Sequence, residues 1–444
     1  MAFIVPMTKE NLVKKLFSVA ERIHFRIFGH TMSDEMRKFL GHLSWSFFGG
    51  IVAAGIMFVV NILAGRWLGP EEYGKYNFVL AVASFFGILM TLGLDTAAPR
   101  FIAIAIKEEE RKAMIGFIFR RMAFTSVAVS LFLVVGILFT PFLSSNRLTF
   151  LSAITLSFFL SARSLFDGIL RGERLFRWQA KLHFIESITI FAGLIFLYFF
   201  SDGHFLAYIL AMVFGYVIFS SFVLFRFGSL VSKNLSLKKK KTVVRYGRYA
   251  FVGAFASFLL TGSDKLLVGS FLNGEMLGLY SAYFTVSVAP VLLLQSIVVN
   301  VFFPSVSRAV DGRPILEKIN RLFLILFIPV IFFIATSTFI FVGLFGGEYR
   351  QDITLSLLFG LYAALFFIVG VKQWFLAGLS NSSILYSSTA ALVAGLIQLF
   401  FTIFSLRYGH GLYLFIVSII IAQVVFFLLN NRYINHAFKK LYET

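Results

Sequence analysis

Leu63-Ala64-Gly65-Arg66-Trp67-Leu68-Gly69-Pro70-Glu71-Glu72-Tyr73-Gly74-Lys75-Tyr76 has a counterpart 204 residues later, Leu267-Val268-Gly269-Ser270-Phe271-Leu272-Asn273-Gly274-Glu275-Met276-Leu277-Gly278-Leu279-Tyr280. That offset aligns Leu63 with Leu267, Gly65 with Gly269, Leu68 with Leu272, Glu71 with Glu275, Gly74 with Gly278 and Tyr76 with Tyr280. Each copy is a short polar turn between two long apolar runs. Matches in register and in the same context indicate a duplicated unit.

The rest of the chain fits membrane, not water. Hydrophobic residues make up 59% and charged residues 14% of the 444, whereas soluble domains carry about 25% charge. With no cysteine, disulfides, thiolate catalysis and Cys-based metal sites are excluded. A spanning helix needs about 20 apolar residues. On that measure spans fall near 43–66, 76–98, 116–140, 149–170, 178–200, 204–225, 249–272, 278–303, 321–345, 353–376, 382–404 and 411–430. The expected fold is therefore an all-α integral membrane protein of about twelve transmembrane helices, in two parallel-repeat six-helix bundles around a central cavity. The corresponding segments are a cytoplasmic or interfacial amphipathic N-terminal stretch (1–42, helical from Thr8 to His30), a first bundle (43–226), a basic linker with Lys238 to Lys241 (227–248), a second bundle (249–434) and a tail (435–444). The N-terminus lacks the early uninterrupted apolar run of a cleavable signal.

Charge sets the expected orientation. With both termini in the cytoplasm, 32 of the 40 Lys and Arg fall in or beside inside segments, five outside, and three within spans. Such asymmetry is the positive-inside signal. It accounts for the net charge of +19 without nucleic acid.

Those three intramembrane cations, Arg163, Lys265 and Lys372, need a reason, since a central charge costs about 2.5–3.5 kcal/mol on insertion scales. Arg163 and Asp167 are four residues apart on one helix face, close enough to pair. An offset near 205 sets Lys372, followed by Gln373, opposite Asp167, so equivalent helices place ionisable groups at similar depth. Asp264 and Lys265 are adjacent and point about 100° apart on a helix; one faces a cavity and the other a neighbour. Asn61 is one residue out of register with Asp264, and Glu186 lies about two turns in from the cytoplasmic end. Asp95 belongs to that same end. Gln295, Asn300, Gln398 and Gln423 read as interhelical hydrogen-bond partners.

No catalytic constellation emerges. The seven His are scattered, and there is no His-Glu-x-x-His, Walker loop or Gly-rich dinucleotide turn. The expectation is no enzyme, no cofactor and no metal.

Ala64 to Tyr76, Thr91-Leu92-Gly93-Leu94-Asp95, Asp264 to Gly269 and Leu277 to Ser281 resemble the polysaccharide-export branch of the multidrug/oligosaccharidyl-lipid/polysaccharide exporter superfamily. The resemblance extends over most of the chain after Phe39. It implies a monomeric, multi-pass flippase of the cell membrane, without a cofactor. Such a protein moves a polyprenyl-(di)phosphate-linked oligosaccharide to the outer face by alternating access, driven by a gradient. It also implies phosphate-binding roles for Arg163, Lys265 and Lys372. Asn61, Asp167, Asp264, Gln373 and Glu186 become cavity or ion-coupling candidates, for H+ or Na+. The alternative is a cation-coupled multidrug exporter of the sister branch, which would favour carboxylates and aromatics over these cations.

Overall fold

The computed structural model describes residues 34–140, 146–200, 203–229, 235–308, 312–379, 383–408 and 411–442. The expected amphipathic helix Thr8 to His30 and the Asn300 side chain lie outside what is described. Thirteen α-helices follow in order among the described residues: α1 Asp34–Thr91, α2 Leu94–Ile104, α3 Glu108–Phe139, α4 Arg147–Gly172, α5 Phe176–Tyr198, α6 Phe205–Phe227, α7 Leu237–Thr261, α8 Ser263–Phe271, α9 Gly274–Arg308, α10 Arg313–Val342, α11 Ile353–Leu379, α12 Ser383–Tyr408 and α13 Leu412–Tyr442.

By length and composition ten of these can cross a membrane, or eleven if the α7–α8 pair, bent by 49°, is one broken span. The apolar part of α1, Gly50–Thr91, is 42 residues long. As one straight rod it would measure about 63 Å, twice the bilayer's roughly 30 Å core. Gly69 resolves this. Its φ of 71° and ψ of 170° break the helix, a conformation glycine adopts cheaply, and Pro70 starts the next arm at the position where its missing N–H costs nothing. The second copy of the turn uses another device: Asn273 Oδ1 accepts the Met276 N–H at 2.8 Å, an N-cap for α9.

Helix starts repeat along the chain. Pro70, Glu108, Arg147, Phe176 and Phe205 correspond to Gly274, Arg313, Ile353, Ser383 and Leu412, offsets of 204 to 207. The outside is apolar: Phe132, Phe139, Phe199, Phe200, Phe225 and Phe333 are all strongly exposed. In water such a surface would aggregate; here it is what acyl chains contact.

The expected basic linker is helical over its second part. α7 begins at Leu237 and runs through the lysines, because Lys is a good helix former and this turn has a partner. Lys239 Nζ is 2.5 Å from Glu110 Oε1, and Val243 and Gly247 are buried. The tail is likewise helical to Tyr442.

Two seams join the first and second halves of the chain. At one, the repeated turns meet each other. A Cβ on Gly74 would overlap the Gly274 carbonyl, and one on Gly278 would overlap the Pro70 carbonyl. Tyr349 donates to the Gly65 carbonyl at 2.9 Å beside this contact. At the opposite ends of the helices, Gly93 (φ 74°) packs on the Gly247 carbonyl of α7, and Phe101 meets Tyr246 edge-on at 5.5 Å. Glycine at both seams lets backbones approach as side chains would forbid.

Candidate functional site

Among the described residues the three intramembrane cations lie in three separate sets of polar groups. The first lies within the first half, between α4 and α5. Arg163 and Asp167 share a face of α4, as their spacing requires, yet take different partners. Arg163 Nε donates to both oxygens of Glu186, at 3.1 and 3.2 Å. Asp167 Oδ1 accepts from Gln179 and meets His183 Nε2, each at 2.8 Å. His183 joins the two, its Nδ1 lying 2.8 Å from Arg163 Nη2. Arg171 adds a more exposed contact to Asp167 at 3.3 Å. The ring of Phe219 on α6 closes the set, 5.4 Å from both the His183 ring and the Arg163 guanidinium. Every charge here has a counter-charge, so the burial of Glu186 is compensated.

The second set lies at the seam between halves, just beneath the glycine contact. Asp264, fully buried, accepts a short hydrogen bond from Tyr280. Lys265 points the other way, its Nζ donating to Asn77 Oδ1 of α1 at 2.9 Å over the face of Phe284, 4.9 Å away. Asn77 is oriented by its own donation to the Tyr73 carbonyl at 3.0 Å, and Tyr73 lies 3.4 Å from Thr285 Oγ1. The divergence of Asp264 and Lys265 follows from the 100° step between helix neighbours. It is the bend at Gly262 that places Lys265 against the other half.

The third set is Lys372 on α11. Its Nζ donates to Asn431 Oδ1 at 2.7 Å and lies 4.2 Å from the Phe427 ring centre. The side chain is only 3% exposed, and among the described residues no carboxylate neutralises it. An amide and a ring face are modest compensation for a buried ammonium.

The remaining candidates are less engaged. Asn61 donates to the Met57 carbonyl of its own helix at 2.7 Å. Gln373 is half-buried, and its carbonyl accepts from Ser387 at 3.4 Å. Gln295 donates to the Phe366 carbonyl and Gln398 to the Leu260 carbonyl, each at 3.4 Å, whereas Gln423 is buried without a hydrogen-bond partner among the described residues. Asp95 accepts from Ser164 at 3.4 Å.

Sequence reasoning missed His183, Gln179, Asn77 and Asn431. Gln179, His183 and Glu186 recur at i, i+4 and i+7, a same-face pattern on α5 that was available to be read. Asn77 and Asn431 carry no comparable signal.

Among the described residues no group of three or more His, Asp or Glu is arranged to hold a metal ion. The family model for polysaccharide biosynthesis proteins matches residues 40–310, and the chain belongs to that family. Its composition and the ten helices long and apolar enough to cross a membrane among the described residues make it a multi-pass membrane protein. No curated protein sequence matches it. Among solved structures it is similar to the lipid II flippase MurJ in an inward closed conformation, with 16% identity over 90% of each chain and a TM-score of 0.66. A multidrug resistance MATE family transporter of the MOP superfamily, inward-facing, gives 17% identity over 85% of this chain and 94% of the other, with a TM-score of 0.65. A MOP superfamily transporter from Pyrococcus furiosus, described by the reversed polarity of its binding pocket, gives 14% identity over 91% and 96%, with a TM-score of 0.57. These likenesses establish the fold.

Proposed function

We propose that the protein is a flippase that carries a polyprenyl-(di)phosphate-linked oligosaccharide from the cytoplasmic to the outer face by alternating access. Family membership supports the sugar-lipid class. The observation that carries the chemistry is Lys265, an ammonium at the seam between the two halves whose described side-chain acceptor is the neutral amide of Asn77. A phosphate is a far better partner for that ammonium than an amide.

In this reading the chain divides into bundles at 43–226 and 249–434. It has twelve spans, because Gly69 separates two crossings and α7–α8 is one bent crossing, and both termini are cytoplasmic. The glycine seam at Gly74 and Gly278 is then the outer gate, and the Gly93–Gly247 seam the inner one. Rocking about these seams exposes Lys265 to either side. Lys372, lacking a counter-charge, is the second phosphate ligand, reached when α13 shifts and withdraws Asn431. Arg163 is neutralised by Glu186, so its role moves from ligand to brace for α4 and α5. A gradient drives the cycle, and Asp264, Asp167 and Glu186 are the groups able to exchange a coupling ion.

The test is flipping of a diphosphate-linked glycolipid by protein reconstituted in vesicles. Lys265→Gln and Lys372→Gln should each lower the initial rate about tenfold, the loss of one charge-assisted hydrogen bond. Wild-type flipping in both variants removes the assignment. Export of a cationic dye in place of the glycolipid would assign the chain to the multidrug class.

A further inference from the structure

A cavity of about 190 Å³ opens at the inner seam, lined by Leu92, Leu94 and Arg121 from the first half and by Val244, Arg248 and Phe251 from the second. The two arginines come from α3 and α7. Among the described residues neither is paired with a carboxylate. The cavity sits beside the Gly93–Gly247 contact, where Leu92 and Gly93 turn the chain between α1 and α2.

We propose that this cavity binds the phosphate head of a membrane amphiphile, and that the bound anion latches the inner seam shut. Two guanidinium groups brought to one space from opposite halves repel each other and favour separation. An anion between them reverses the sign and cross-links the halves. Guanidinium is the side chain suited to this, because its planar fork meets two phosphate oxygens at once. The other four lining residues are apolar and would receive the first carbons of a lipid chain, a division of labour usual in ligand pockets. Positive-inside topology explains basic residues at this end in general. It does not explain convergence from both halves: Arg245 and Arg248 are both exposed, but only Arg248 lines the cavity, and Arg245 shows what topology alone produces. The proposal goes beyond the transport reading and stands without it. The phosphate can belong to a bilayer phospholipid or to a polyprenyl carrier.

The chain has no cysteine, so Thr96→Cys and Thr242→Cys give two clean spin-label sites on exposed positions of α2 and α7. The full-length labelled protein is placed in phosphatidylcholine nanodiscs, and the distance between labels is followed by double electron–electron resonance. Inorganic pyrophosphate should enrich the short-distance population, with half-saturation weakened about tenfold by Arg121→Gln or Arg248→Gln and unchanged by Arg245→Gln. A response to pyrophosphate supports a site open to free phosphate groups and hence to a carrier. A response only on adding phosphatidylglycerol to the nanodisc, with the same dependence on the two arginines, supports a phospholipid head. The idea is overturned by no change with either probe, by a change that survives both Arg→Gln variants, or by one that Arg245→Gln removes equally. Arg121→Lys and Arg248→Lys, which keep the charge, should retain part of the response and guard against loss of fold.

Discussion

α4 and α11 occupy equivalent places in the two halves, and each carries a cation at similar depth, half-buried at Arg163 and buried at Lys372. Their treatment of that cation differs. Arg163 on α4 sits in a network of two carboxylates, a histidine and an amide on α4 and α5. Lys372 on α11 has one amide and one ring face on α13. The first arrangement is closed, since each member already satisfies another. The second is under-compensated and open to a better partner. A duplicated scaffold thus holds one rigid ionic brace and one lone ammonium, so equivalence of position does not carry equivalence of role.

The largest expected effect comes from breaking the brace. Arg163→Leu leaves Glu186 only His183, 3.5 Å away, and should cost about 3–5 kcal/mol in unfolding titrations in mixed micelles. The double variant Arg163→Leu/Glu186→Leu removes both charges and should recover most of that loss, which would show that pairing rather than shape is at stake. His183→Leu severs the link between the two carboxylates and should cost about 1–3 kcal/mol, the penalty for buried polar groups losing a partner. Lys372→Met should change stability by no more than about 1 kcal/mol, because the lost hydrogen bond is offset by relief of a buried charge. A loss at Lys372 as large as that at Arg163 would erase the contrast.

The smallest test concerns the starts of the same two helices. Asp352 Oδ1 accepts the Leu355 N–H at 3.0 Å and caps α11, whereas Asn146 provides no side-chain cap for α4. Asp352→Ala should cost about 1 kcal/mol. Burial pushes the Asp352 carboxyl up, but hydrogen bonds from Tyr413 and the Leu355 N–H outweigh it and hold it below its usual range. A carboxyl lowered on folding contributes stability above its unfolded pKa and loses it as pH falls through the lowered value. The Asp352→Ala penalty should therefore fade in acid and stay constant near neutrality.

Most helices were legible because a spanning run of apolar residues has few other uses. The expected span 149–170 stops two residues short of α4 at each end, and 353–376 shares the start of α11 and stops three residues before its end. The start of α7 was not legible. Hydropathy stops at the lysines, while backbone propensity and the Glu110 contact carry the helix on. The spacing of Arg163 and Asp167 put them on one face, but spacing says nothing about the rotation of α5, and that rotation delivers Glu186 and His183 to them. Lys265 was legible as a residue needing a reason. Its reason, Asn77 on a helix 188 residues away in sequence, depends on how the halves dock and leaves no local trace.

The Lys265–Asn77 bond has a mechanical corollary. An anion that captures this ammonium must first pull it off the amide, and the amide is fixed to the opposite half. In the proposed transport cycle, anion arrival and the untying of one half from the other are a single event, so the halves stay fastened until an anion binds.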